Sequence, residues 1–329
     1  MKLRWSFSHS RTFGRCPRQW FFATRLSRWN ARDPLGREAF LLSKLQSVSA
    51  WRGSLVDAII CDEIIPALRA GLGIDRAQVI SLAEERFHNQ LAFARERRWR
   101  EPGMSVTEGK NSYAALFGFE YDQDIEAELA PAWTDVEQAL TNFLEMSDLL
   151  KTLREASQLI PQRTLKFRHS GASVTARPDL IAFFKNAPPL IVDWKVHTFA
   201  AKDYRLQLAL YALALTRCRP HRDFPLGVNK HPPHEIALLE AQLLTKKPRD
   251  YHLTVKDIEN AENYISVTAT QMSLALRSGL DGSITHNDMA VTIFPDTCQR
   301  CSFRSICWED LPAKKENLCL DLKQTSFLS

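Results

Sequence analysis

Hydrophobic positions recur at helical spacing through the first half of the chain and at strand spacing from about residue 158 onward. Residues 37–72, 75–100, 105–121 and 131–157 predict helices, with Gly53 and Pro66 expected to interrupt the first and Glu101-Pro102-Gly103 to end the second. Ahead of them, Ser6 or Ser8 is placed to cap a helix through RTFGRCPRQWFFATRL, with Pro17 an interruption or a new start. Phe13, Trp20, Phe21 and Phe22 of that stretch read as core. Residues 160–169 alternate as a strand, and Ser170-Gly171-Ala172 turns them into a second run at 174–184. KNAPP then turns the chain into a third, LIVDWKV at 190–196, so a three-strand meander is expected. A helix over 202–216, a further strand over 235–244 and a helix over 254–280 with Thr254 as cap and Gly279 near its end complete the pattern. The polar tail after Glu309 is expected to pack loosely. The division that follows is a mostly helical part (1–158), a sheet-containing core (159–290) and a cysteine-bearing closure and tail (291–329), integrated as one domain.

Composition changes this picture little. The 329 residues are 45% hydrophobic and 25% charged, ordinary for a globular chain, and the net charge of +5 permits nucleic-acid binding without requiring it. No apolar run is long enough to span a bilayer, and MKLRWSFSHSRTFGRCPRQW lacks the apolar core of a signal peptide, so a cytoplasmic protein with no membrane partner is expected. Neither an internal repeat nor a low-complexity segment is present.

The chemistry concentrates between residues 174 and 211. Asp193 and Lys195 interrupt an apolar strand two positions apart and therefore share one side of it, whereas Trp194 should face the opposite side as core. Buried charges need partners. A divalent cation held by Asp179 and Asp193, with Lys195 beside it, would supply them. Carboxylates suit hard cations such as Mg2+ or Mn2+. Such a cation lowers the pKa of a bound water and offsets phosphate charge, while a lysine orients or deprotonates that water. A D-x-K triplet alone is equally a surface feature of a hairpin. Gln207 and Tyr211, at i and i+4, share one helix face after it.

Asp179 preceded by Pro178, then Asp193-Trp194-Lys195, then Gln207 and Tyr211, resemble the core of the PD-(D/E)XK nucleases, and more narrowly the RecB/AddB-type exonuclease branch with its Q-x-x-x-Y motif. The resemblance implies a restriction-endonuclease-like α/β fold: a central mixed sheet flanked by helices, with a helical N-terminal part and a C-terminal iron–sulfur closure. It implies that Asp179 and Asp193 hold Mg2+ or Mn2+, with the Trp194 carbonyl, that Lys195 activates water, and that Gln207 and Tyr211 orient Lys195 or the DNA strand. That branch carries a G-x-x-x-H histidine ligand on an early helix. Here the spacing is Gly53 to Asp57, so an aspartate stands in the histidine's place as ligand or as an ordinary polar residue.

Seven cysteines are present, three of them in CQRCSFRSIC. Clustering of this kind favours a metal site over disulfides, and four thiolates satisfy tetrahedral zinc as readily as iron. Cys16 in a C-P-R context together with Cys298, Cys301 and Cys307 resembles the [4Fe–4S] staple of the same branch and of the CRISPR-associated iron–sulfur exonucleases. That staple would tie the first helix to the C-terminal segment.

The function expected is metal-dependent hydrolysis of DNA phosphodiesters, exonucleolytic on single strands or duplex ends, in repair, recombination or defence. The alternatives are an inactive DNA-binding accessory of a helicase or defence complex, and a zinc-stapled interaction protein. No G-x-x-x-x-G-K-[ST] motif occurs, so a helicase motor would be a separate chain. Arg11, Arg15, Arg18 and Arg25, the run ARERRWR, and Lys166, Arg177 and His197 are possible phosphate contacts.

Overall fold

A computed structural model describes residues 3–197, 204–225, 230–277 and 284–308, and among these eight strands form. They are β1 (Arg4–Trp5), β2 (Gln158–Pro161), β3 (Leu165–His169), β4 (Ala172–Ala176), β5 (Leu180–Phe183), β6 (Leu190–Lys195), β7 (Ala237–Gln242) and β8 (Lys247–Tyr251). They build a three-stranded sheet in the order β1-β4-β3 and a five-stranded sheet in the order β2-β5-β6-β7-β8.

Two expected strands are each cut in two. Pro178 lacks an amide donor and restricts Arg177 before it, so the run 174–184 divides into β4 of one sheet and β5 of the other. Asp179 thus lies in the bend just ahead of β5, not within a strand. Gln162 adopts φ 52°, which ends β2 and separates it from β3, so the expected three-strand meander is shared between two sheets. The β3–β4 turn uses Ser170 (φ 47°) and Gly171 (φ 76°), the paired positive φ of a two-residue hairpin loop.

β6 pairs antiparallel with β5 and parallel with β7, so the larger sheet is mixed, and LIVDWK lies in its middle as an apolar run. β8, with Pro248 in a charged, mostly exposed sequence, is an edge strand.

The helices are shorter than the periodicity predicts. Residues 37–72 yield Pro34–Leu42, Val48–Ile59 continued by a π-helical turn, and Ile65–Arg69; Gly53 does not interrupt, and the break falls at residues 43–47 instead. Residues 75–100 yield Arg76–Arg95, capped by Asp75. Residues 105–121 yield only short turns, including Val106–Gly109 and Phe117–Glu120. Residues 131–157 yield parts of Glu126–Glu145 and Ser147–Glu155, separated at Met146.

The chain forms two compact units. One joins its first six residues to Gln46–Val267 and contains both sheets; the other joins Phe7–Leu45 to the chain from Thr268 onward. In the first, the Val48–Ile59 helix packs on Glu126–Glu145 and Arg76–Arg95, while the Arg205–Arg217 helix packs on β3, β4 and β6. Asn142 donates to the Leu243 carbonyl at 2.7 Å, tying the Glu126–Glu145 helix to the end of β7. In the second, Trp20, Phe21 and Phe22 are buried as expected of core, and Phe22 stacks on Phe303 at 5.5 Å. Among the described residues no helix is long and apolar enough to cross a membrane.

Candidate active site

The register of the larger sheet builds the site. Pro161 pairs with Leu180, and Leu180 with Val192, so one step further Gln162 meets Asp179 and Asp179 meets Asp193. Asp193 in turn pairs with Glu240, and Glu240 with Arg249. Residues opposite one another in a ladder point to the same face. Polar residues therefore form a row across the sheet that no single strand displays. The Gln162 amide donates to the Asp179 carbonyl at 2.9 Å, and the Trp194 amide donates to Asp179 Oδ2 at 3.0 Å.

Lys195 forms an ion pair with Asp193 Oδ2 and lies over the Tyr204 ring at 4.8 Å. Gln207 reaches the same carboxylate, donating to Oδ1 at 3.4 Å, and donates to the Tyr211 hydroxyl at 2.7 Å. The expected helix face of Gln207 and Tyr211 is thus held against Asp193.

Asp57 comes to this cluster from the Val48–Ile59 helix, whose Arg52 bonds both Asp135 and the carbonyl of Val196 just past β6. Asp57 Oδ1 accepts from Gln162 Nε2 at 2.7 Å, and the same amide nitrogen lies 3.4 Å from Asp179 Oδ1. Trp194 corrects the expectation that it only fills core. Its ring is buried and packs edge-on against Phe143, but its indole N–H donates to Asp57 Oδ1 at 2.9 Å, because a helix carrying a carboxylate covers that side of the strand. Asp57, Asp179, Gln162, Arg177, Lys195 and His197 line one cleft of about 340 Å3.

Electrostatics follow from crowding. Burial, then the Asp193 charge, push the Asp179 carboxyl well above its ordinary range. Burial likewise raises Asp193 and Asp57, opposed at Asp193 by Lys195. Burial alone would lower Lys195, but the Asp193 and Asp179 carboxylates outweigh it and hold its pKa above the ordinary value. Burial raises the Tyr211 hydroxyl, with Asp193 adding to it.

A scan against protein families matches the PD-(D/E)XK nuclease superfamily over residues 4–308. The chain belongs to that superfamily. Two solved structures are similar at low identity. One is a chain described as a candidate exonuclease from Eubacterium rectale (12% identity, 92% of this chain and 91% of that chain covered, TM-score 0.39). The other is the protein SSO0001 (12% identity, 70% and 98% covered, TM-score 0.30). No curated protein matches.

PD-(D/E)XK nucleases generally use Mg2+ or Mn2+. Among the described residues, however, no group of three or more His, Cys, Asp and Glu side chains is arranged to hold a metal ion. In this nuclease-superfamily chain, protein donors take the carboxylate oxygens: Gln162 and Trp194 on Asp57, the Trp194 amide on Asp179, Lys195 and Gln207 on Asp193. These are the oxygens a hard cation would use. The donor set fits such an ion once Gln162 and Lys195 yield.

The expected iron–sulfur closure is not present as a formed four-thiolate site either. Cys16, Cys298, Cys301 and Cys307 form no disulfide and line one recess within the second unit. Cys16 caps the Pro17–Phe21 helix, its sulfur accepting from the Gln19 amide at 3.4 Å, and Cys301 accepts from the Phe303 amide at 3.4 Å. Burial, with the neighbouring cysteines, pushes Cys301 up to about 12. Two of the four sulfurs thus already accept backbone amide hydrogens. The remaining cysteines, Cys61 and Cys218, lie elsewhere, and Cys319 lies outside the described residues.

Several expected phosphate contacts are otherwise engaged. Arg18 is buried and donates to the Met289 carbonyl at 3.2 Å. Arg95, Arg97, Arg98 and Arg100 each pair with a carboxylate. His197 pairs with the Tyr204 hydroxyl at 2.7 Å.

The sequence did not single out Gln162 or Glu240. Nothing local marks Gln162. Glu240 carried the same signal as Asp193, an acid inside an apolar strand; it is fully buried and accepts from the Tyr251 hydroxyl at 2.8 Å.

Proposed function

We propose that this chain is a Mg2+- or Mn2+-dependent nuclease that hydrolyses DNA phosphodiesters, acting as an exonuclease on single strands or duplex ends. The observation that carries the proposal is the meeting of Asp179, Asp193 and Lys195 in one polar row, with Asp57 brought beside them. Asp179 and Asp193, with Asp57, are the residues that would hold the ion. When bound, it supplies a lowered pKa for attacking water and offsets phosphate charge.

The protein's own groups do the rest. Lys195 is cationic here, so it orients the water and stabilises charge developing on the phosphate oxygens. Gln207, held by Tyr211, fixes the Asp193 carboxylate, and Trp194 fixes Asp57. These groups address the phosphodiester backbone, so cleavage is expected to be independent of base sequence. End-labelled single- and double-stranded DNA incubated with Mg2+, Mn2+ or EDTA tests the reading. Divalent-dependent shortening from an end supports it, and intact label in every arm refutes it.

The second part of the proposal is structural. Cys16, Cys298, Cys301 and Cys307 hold a [4Fe–4S] cluster that staples the Pro17–Phe21 helix to the C-terminal segment. Their lining of one recess and the amide hydrogens aimed at two of the sulfurs support this. Elemental analysis of anaerobically purified protein should find about four iron and four sulfide per chain. Zinc in their place would reject the cluster.

A further inference from the structure

A second recess adjoins the catalytic cleft. It has a volume of about 720 Å3 and lies between the segment linking β2 to β3 and the segment after the Arg205–Arg217 helix. Gln162 lines both cavities, so its side chain is a shared wall between the recess and the carboxylates. The lining is basic: Arg163, Lys166, Arg219 and His221 contribute, and no acidic residue does. Arg163 pairs with Asp223, which ties the two bordering segments together, and its Nε is buried without a partner. Lys166 and Arg219 have no ion-pair partner among the described residues and are exposed. The His221 ring rests against Phe224, with centroids 5.0 Å apart.

We propose that this recess seats the phosphates of single-stranded DNA next to the scissile bond, with Lys166 and Arg219 as the principal backbone contacts. The inference rests on the nuclease reading and deepens it. A phosphodiester placed in the cleft belongs to a polymer that must continue past the carboxylates, and the Gln162 wall is where the basic recess begins. Unpaired cations held beside an acidic site attract the flanking phosphates and leave the metal-binding carboxylates free. The recess has the volume of a small-ligand pocket, enough for a short stretch of one strand. A basic track with one ring face is the composition of a sequence-tolerant single-strand site.

The test is binding of a fluorescent single strand of about 16 nucleotides, and of the matching blunt duplex, measured in EDTA across a salt series. EDTA separates binding from cleavage, so a failure of the nuclease reading would leave this result legible. Wild-type protein should favour the single strand. The Lys166→Gln/Arg219→Gln double variant should bind it more weakly, with a salt slope flatter by about 1.4, at about 0.7 for each phosphate no longer neutralised. An unchanged melting temperature and circular dichroism spectrum would show that the variant is folded. Absence of single-strand binding by the wild type, or an identical slope in the variant, would overturn the inference.

Discussion

Trp194 donates its indole N–H to Asp57 Oδ1 at 2.9 Å, joining residues 137 positions apart in the chain. The bond makes the middle residue of the D-x-K triplet a support for the Asp57 carboxylate. Partners of metal ligands typically contribute 10–100-fold in metal affinity or activity. Trp194→Phe keeps the ring packing against Phe143 and removes the donor. It should weaken Mn2+ binding in a calorimetric titration by roughly tenfold or more. Unchanged affinity would remove Asp57 from the ligand set.

Buried Asp193 and half-buried Asp179 and Asp57, gathered around one lysine, make the metal-free protein sensitive to pH. The folded pKa values of Asp179, Asp193 and Asp57 lie above those of the unfolded chain, about 3.9. The native state therefore holds more protons, and stability is fullest below that value and falls as pH rises through the folded values. Thermal melts in EDTA should show a declining midpoint over that window. Added Mn2+ should restore it, with the larger gain at higher pH.

The Val255–Ala275 helix begins with a reciprocal cap. Asp257 Oδ2 accepts from the Thr254 amide at 2.8 Å, and the Asp257 amide donates to Thr254 Oγ1 at 3.2 Å. Thr254→Ala should cost about 1 kcal/mol in denaturant unfolding, without altering metal binding. The same contacts lower the Asp257 pKa, so its contribution is present above about 3.9 and lost as pH falls through the folded value.

Cys16→Ser should abolish the iron content while leaving Asp179, Asp193 and Lys195 intact. Iron retained at the wild-type level would mean that Cys16 is not a ligand. Reduced protease resistance of residues 7–45 in the variant would be the sign of a broken staple.

Asp193, Lys195, Gln207 and Tyr211 were legible because each pair lies within one element, where period 2 or spacing i, i+4 dictates a shared side. Asp179 was legible as a residue but not in its place: Pro178 signalled an irregularity, and the division between two sheets is a tertiary outcome. The placement of Gln162 and Glu240 depends on strand register, and the Trp194 bond on a helix packed over β6, neither of which sequence periodicity specifies. β1 and β8 went unpredicted for a related reason. A two-residue strand and the charged, proline-bearing edge KPRDY carry no alternation to read.

Lys195 and its carboxylates are proposed to form a hydrolytic centre. The most direct test is single-turnover cleavage of end-labelled single-stranded DNA by wild-type protein and Lys195→Ala, in Mg2+ or Mn2+ with matched iron content. The variant should lose about 10²-fold or more in rate, with DNA binding retained. Equal rates in the two proteins would contradict this role of Lys195.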